Sequence, residues 1–448
     1  MKKHQSLLKR YSAYKDSGIE WIEELPTDWR VKRLKEILRE VVYGTSEKTK
    51  ELGKYEVLRM GDIDEGRVSF PKKRFIDNVP KELLLKQGDL LFNRTNSLAL
   101  VGKVGLIEQE LKDVIFASYL IRLRLNNNQS NRYFWYFLNS EYFIRYSRSN
   151  AIQTANQANL SSSKLKQFKV IHISPSLQKS IAHYLDTKTA QIDRKIDLLT
   201  QKATLYSNLK QSLINETVTR GLDKTVPMSD RRIGWIGEVP EHWQKGRIKD
   251  FTESNNSVKI PIQLSDTDLV EFMPMTNIDE ELGKIKEFNL VPLKDVSNGY
   301  TKFRNGDVIF AKITPCMENG NVALVSKLRH DVGFGSTEFM VFRPFKKLSA
   351  RYLRYFLHNV LFRKNAEPFM KGTAGQKRLT SLYTAIHYLG LPPLTEQKAI
   401  ADYLDTKTAK IDQIIQTINT QIERLKELRK TLINDVVTGK IKVVENEH

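Results

Sequence analysis

One cysteine, Cys316, stands among 448 residues, so the chain can close no internal disulfide and build no zinc site from several thiolates. Its eight histidines show no metal-ligand spacing. No stretch approaches the ~20 consecutive apolar residues needed to span a bilayer. The opening Met1-Lys2-Lys3-His4-Gln5 runs into Lys9, Arg10 and Lys15 without an apolar stretch, so a signal peptide is not expected. A cytoplasmic location away from membranes follows by default. Enzymatic signatures are missing too. There is no Gly-x-Gly-x-x-Gly loop and no Walker-A segment for ATP. Amino-methyltransferases hold a flipped base with an Asn/Asp/Ser-Pro-Pro-aromatic string. The nearest strings here, Ser174-Pro175-Ser176-Leu177 and Leu391-Pro392-Pro393-Leu394, do not fit. No catalytic residue, cofactor-binding residue or metal ligand is nominated; a dispersed carboxylate nuclease site is the kind of centre that carries no such signature.

What is abundant is positive charge. Lys and Arg total 72 against 52 Asp and Glu, a formal net charge of +20. Such a surplus favours polyanionic partners, nucleic acid first and an anionic membrane surface second. Apolar residues at 40% and aromatics at 9% suffice for real cores, and the length suggests two to four domains.

The chain repeats itself. Trp21, Pro26 and Trp29 return as Trp235, Pro240 and Trp243, each 214 positions on. The run Gln178-Lys179-Ser180-Ile181-Ala182-His183-Tyr184-Leu185-Asp186-Thr187-Lys188-Thr189-Ala190 returns at Gln397–Ala409, an offset of 219. Between these anchors the copies have drifted, but landmarks survive. Gly88-Asp89-Leu90-Leu91-Phe92 answers Gly306-Asp307-Val308-Ile309-Phe310, Arg132-Tyr133 answers Arg351-Tyr352, and Thr154-Ala155-Asn156-Gln157 answers Thr373-Ala374-Gly375-Gln376. A period near 215 residues is a duplicated domain plus helix, and a pseudo-twofold molecule is its natural product.

Each copy divides in two. The first part mixes short β-rich runs, such as Asp307–Ile313, Asn321–Leu328 and Thr337–Phe345, with an amphipathic helix at Arg351–Phe362 or Asn131–Arg145. The second part starts near Ser176 and Thr395, read as N-caps. There Ile192, Ile196, Leu199, Ala203 and Tyr206 are spaced 4, 3, 4 and 3, and Leu213 resumes the register after Lys210. The other copy gives Ile411, Ile415, Ile418, Ile422 and Leu425, then Leu432 and Val436 after Arg429. Apolar heptads of this kind form a coiled-coil seam, and the simplest partner for each helix is the other, antiparallel. The fold class expected is α+β: two globular domains, 1–174 and 223–392, separated by helical regions 175–222 and 393–448. The segment Leu222–Arg231 connects the copies, and Asn126-Asn127-Asn128 is a turn.

These residues carry a resemblance. A helix start with Pro followed within four residues by Gln-Lys, then Ile-Ala-x-Tyr-Leu-Asp-x-Lys-Thr-Ala-x-Ile-Asp, occurs twice. With the Trp-flanked openings and Gly372-Thr373-Ala374-Gly375-Gln376, this resembles the specificity subunits of type I restriction–modification systems over nearly the whole chain. The resemblance implies two target-recognition domains on double-stranded DNA and an antiparallel coiled coil acting as ruler. The coil would dock two modification (methyltransferase) subunits, which bring S-adenosylmethionine, and two restriction (translocase and nuclease) subunits would bring ATP and Mg²⁺. This chain itself would be non-catalytic. A helix of about 30 residues from Ala190 would be ~45 Å long, placing the readers about 13 base pairs apart. Because the two domains have drifted apart while the helices have not, an asymmetric bipartite target is expected.

DNA contacts are expected from basic and amide-rich loops, where Arg forks onto guanine, Asn or Gln onto adenine, and Lys meets phosphate. In the first copy the candidates are Lys72, Lys73, Arg74, Asn93, Arg94, Gln157 and Asn159. In the second they are Asn255, Asn256, Lys312, Lys371, Gln376, Lys377 and Arg378. The pair Asn93-Arg94 stands where the other copy has Ala311-Lys312. Each of these can equally be a solvated surface group. The paired Trp residues read as packing, and Asp186, Lys188, Asp193, Asp405, Lys407 and Asp412 as a charged helix face rather than a catalytic cluster. A self-contained DNA-acting enzyme and a non-catalytic coiled-coil adaptor are the competing classes. Salt dependence of duplex binding separates the adaptor from a reader.

Overall fold

The computed structural model describes residues 10–64, 66–69, 73–155, 157–254, 258–373 and 375–443. It divides into two compact units, 1–198 with 421–448, and 199–420. The boundaries cut both long helices, so each unit holds the beginning of one and the end of the other.

The Gly-Asp landmark leads into a central strand of the main sheet of each unit. Gly88 and Gly306 sit at φ of 90° and 87°, where a side chain would be strained. The following carboxylates accept from the amides of Lys86 and Arg304, both at 2.9 Å, and so close the turn. Each turn feeds a wholly buried four-residue strand, Leu90–Asn93 or Val308–Ala311. Asp89 also accepts from Arg124 at 2.6 Å, and Asp307 from Arg343 at 2.8 Å. The landmark is therefore architectural.

Around these strands the sheet order is the same in both units. Unit one runs Val104–Leu106, Leu90–Asn93, Leu120–Leu125, Leu38–Tyr43, and unit two runs Val322–Leu324, Val308–Ala311, Phe339–Pro344, Thr252–Ser254. A second sheet in each contains one parallel pair, Val114–Phe116 with Tyr55–Leu58 and Gly333–Gly335 with Leu269–Met273. The amphipathic helices are each broken in two, at Asn131–Phe137 and Glu141–Asn150, and at Ala350–His358 and Val360–Ala366. The break follows from local capping. Ser140 accepts from the Phe143 amide, and Asn359 from the Leu361 amide at 2.7 Å. Met228–Ile233, at the end of the expected connector, is a strand paired with Gly237–Pro240.

The long helices span Pro175–Arg220 and Leu394–Val437, 46 and 44 residues. They start before the expected caps: Pro175 occupies the first turn, as proline does well, and the Ser174 hydroxyl accepts from the Leu177 amide at 3.3 Å. Ser176 and Thr395 thus lie inside the helices. Their first turns are locked to the globular parts by one residue each. Buried Gln178 accepts from the Ser130 amide at 2.8 Å and donates to the Ile173 carbonyl at 3.0 Å. Gln397 does the same with the Ser349 amide at 2.7 Å and the Pro392 carbonyl at 2.8 Å. In unit one Ile181 and Leu185 share a core with Ile433, Val436 and Trp29. In unit two Ile400 and Leu404 share one with Ile214, Val218 and Trp243.

Candidate nucleic-acid interface

The Thr-Ala-x-Gln landmark is a β-hairpin in each unit. In unit one Ile152–Gln153 pairs with Ala158–Asn159, which pairs in turn with Thr95–Asn96 just past the central strand. In unit two Met370–Thr373 pairs with Gln376–Leu379, and Arg378 bridges to Ile313 at the same place. Gly372, at φ 139°, tolerates no Cβ because one would meet the Gln376 carbonyl oxygen at 2.4 Å.

The backbone frame holding each hairpin is identical. Leu160 N–H donates to Arg94 O at 2.9 Å and Leu379 N–H to Lys312 O at 2.8 Å, while Arg94 N–H donates to Tyr119 O at 3.0 Å and Lys312 N–H to Glu338 O at 2.9 Å. Three residues are thereby brought together per unit: Arg94, Tyr119 and Asn159, or Lys312, Glu338 and Arg378. In the first trio Arg94 donates through Nη2 to Asn159 Oδ1 at 2.9 Å and lies 5.0 Å from the Tyr43 ring centre. In the second, Arg378 donates through Nε at 3.0 Å and Nη2 at 2.7 Å to Glu338. Arg378's hydrogen bond holds the Glu338 carboxyl below its ordinary pKa.

The other expected contact residues scatter. Lys72, Asn255 and Asn256 lie outside the described residues. Lys73 and Arg74 approach Glu56 at 3.9 Å and Glu51 at 3.7 Å, at a different edge from the hairpin. Gln157, Lys371, Gln376 and Lys377 are exposed on the hairpins. Asn93 departs from the expected outward placement. It is buried, and its Nδ2 donates to the Met60 carbonyl at 3.2 Å, so it does not face outward for base contact. Asn321 across the sheet in unit two makes the corresponding bond to Met275 at 3.4 Å. Tyr119 and Glu338 were missed. Neither belongs to a motif, and only the pairing of strands distant in sequence brings them to the hairpin.

The charged helix face is engaged within each unit. Asp186 accepts from Arg132 at 2.6 Å and Tyr136 at 2.7 Å, and Asp405 from Arg351 at 3.0 Å and Tyr355 at 2.6 Å. These are scaffold contacts. Asp193 meets Arg429 at 2.9 Å in unit one, and Asp412 meets Lys210 at 2.7 Å in unit two. Of the heptad residues, Ile411, Ile418 and Ile422 are buried, and Ile192, Ile196, Leu199, Tyr206, Leu213, Ile415, Leu425 and Leu432 are half-buried. Trp29 and Trp243 are packed in cores, whereas Trp21 is 41% exposed. Among the described residues no group of three or more His, Cys, Asp or Glu is placed to hold a metal ion, and no helix is long and apolar enough to cross a membrane.

The type I restriction modification DNA specificity domain matches residues 26–203 and again 240–424. The chain is 34% identical over 197 residues to the type I restriction enzyme EcoAI specificity subunit of Escherichia coli, covering 44% of this chain and 33% of that protein, about a third of its length. It is 25% identical over 454 residues to the putative MjaX specificity subunit of Methanocaldococcus jannaschii, covering 96% of this chain and 98% of that one. In fold it resembles a chain of a type I R-M system solved for its assembly and conformational transition, with a TM-score of 0.71 at 15% identity over 93% and 99% of the two chains. The HsdS subunit from Thermoanaerobacter tengcongensis aligns with a TM-score of 0.52 at 15% identity, covering 93% of this chain and 98% of that one.

Proposed function

The chain belongs to the type I restriction modification DNA specificity family, and from that premise we propose that it is the sequence-recognition subunit of such a complex, reading an asymmetric bipartite site in double-stranded DNA. It performs no chemistry itself. Domains 1–174 and 223–392 each read one half-site, and helical regions 175–222 and 393–448 pair as an antiparallel coiled coil related by a pseudo-twofold axis. Ile192, Ile196, Leu199, Tyr206 and Leu213 form one side of the seam, and Ile411, Ile415, Ile418, Ile422, Leu425 and Leu432 the other. The coil docks two modification subunits carrying S-adenosylmethionine, and two restriction subunits supply ATP and Mg²⁺. The subunit works in the cytoplasm.

The observation that carries this reading is a contrast within the repeat. Contacts tying domain to helix recur residue for residue: Gln178 and Gln397, Arg132–Asp186 and Arg351–Asp405. The hairpin clusters keep the backbone frame and change their side chains. Selection on a shared scaffold with two different readers leaves this pattern.

Duplex binding by the full-length chain across a salt series tests the reading. Lys and Arg on phosphates release counterions, so log affinity should fall linearly with log salt, by about 0.9 per phosphate contacted. An affinity indifferent to salt, or equal for all duplex sequences, would contradict it.

A further inference from the structure

We propose that the hairpin clusters are matched base-reading positions, with Asn159 reading an adenine in one half-site and Arg378 a guanine in the other. The inference rests on the DNA-recognition reading above and assigns the contacts that reading requires.

Both residues leave the same point of the same backbone frame, so they should meet the same depth of a groove. Their chemistry differs in the way two base readers differ. A guanidinium offers two parallel N–H groups for guanine O6 and N7, and a carboxamide offers a donor and an acceptor for adenine N7 and N6.

Each is also held in advance. Glu338 takes the Nε and one Nη2 proton of Arg378, which leaves the Nη1–Nη2 edge of a half-exposed side chain for a base. Asn159 Oδ1 accepts from Arg94, which fixes which end of the amide is oxygen. Both Nδ2 protons and the second Oδ1 lone pair remain for adenine. Arg94 is itself seated against Tyr43 and donates to the Ser118 carbonyl at 3.5 Å. Arg94 and Glu338 are therefore positioning residues, and Asn159 and Arg378 are the readers. The four frame bonds run backbone to backbone, so the frame itself does not depend on which side chain stands at either position.

The test is selection from randomised duplexes by the full-length chain, followed by affinity ratios at each position of the enriched motif. Arg378→Ala should cost roughly tenfold to a hundredfold in preference for guanine at one position of one half-site, with the other half-site unchanged. Arg378→Lys, which keeps the charge without the fork and disturbs the fold least, should lose the same preference. Glu338→Gln should weaken it while leaving affinity for duplexes altered at that position unchanged. Asn159→Arg combined with Tyr119→Glu should convert one adenine of the other half-site to guanine. Arg378 variants that enrich the parent motif, or that weaken all duplexes equally with a shallower salt slope, would overturn the assignment. Failure of the parent chain to enrich any motif would instead remove the DNA-recognition reading, and the assignment with it.

Discussion

Phe168 and His387 occupy one place in the two units. The carbonyl of each accepts the amide that starts the short helix near the domain entrance, Leu34 at 2.7 Å and Ile248 at 2.9 Å. Phe168 packs among aromatic rings, and His387 lies 4.8 Å from Trp235, 5.0 Å from Phe362 and 4.6 Å from Tyr383. Burial in that apolar nest pushes His387 down to about 4, and burial does the same to His358, also to about 4. Above pH 6.5 both are neutral folded or unfolded, so nothing is lost. Between pH 6.5 and 4 the unfolded chain takes up protons that the folded one refuses, and stability falls as pH falls. From pH 7 to pH 5 each histidine should cost roughly 2 kcal/mol. We expect urea unfolding of His387→Phe to show a smaller loss over that range than the parent, and an unchanged loss would refute the burial assignment. At this scale the sequence was an uneven guide. Trp29 and Trp243 are packed as their placement beside Pro suggested, but the inward turn of Asn93 was illegible, because it depends on Met60 arriving from another part of the chain.

Two charges interrupt the apolar heptads of the long helices, Lys210 in the first and Arg429 in the second. The sequence marked the interruptions at one heptad place without explaining them. In the structure Lys210 is buried, donates to the Glu281 carbonyl at 2.7 Å and pairs with Asp412, while Arg429 pairs with Asp193, which also meets Arg67. Removing Asp412 strands the charge of Lys210, which is buried, whereas removing Lys210 strands Asp412, whose carboxylate is 23% exposed and stays in reach of water. We therefore expect Asp412→Ala to destabilise unit two by about 3 kcal/mol and Lys210→Met, which continues the heptads, to cost less in thermal melts. Equal losses would show that packing rather than charge governs the position. The helix bodies were legible because four heptads give a strong periodic signal. Their starts were not, because Pro175 and Ser174 share the N-terminal roles assigned to Ser176. The second sheets were missed for a different reason: strands such as Phe75–Ile76 and Val114–Phe116 are two and three residues long and carry no period.

The duplication was the most legible property of the whole chain, since its anchors are residues that lock helix to domain and cannot drift independently. The unit boundaries were not legible. The expected divisions fall at domain–helix junctions, whereas the compact units each take half of both helices, because the helix ends pack into the globular cores. With the helices as the ruler, deleting one heptad from both should shorten the gap between half-sites by about 3 base pairs, at ~10 Å of helix and 3.4 Å per base pair. Methylation mapping of such a variant in its complex would read that directly. The most direct test of the central claim is to sequence the methylated motif of the native host with and without this gene. We expect a gapped, asymmetric bipartite motif that disappears on deletion and returns on complementation. An unchanged methylome, or a lost motif that is a perfect palindrome, would contradict a single chain carrying two different readers.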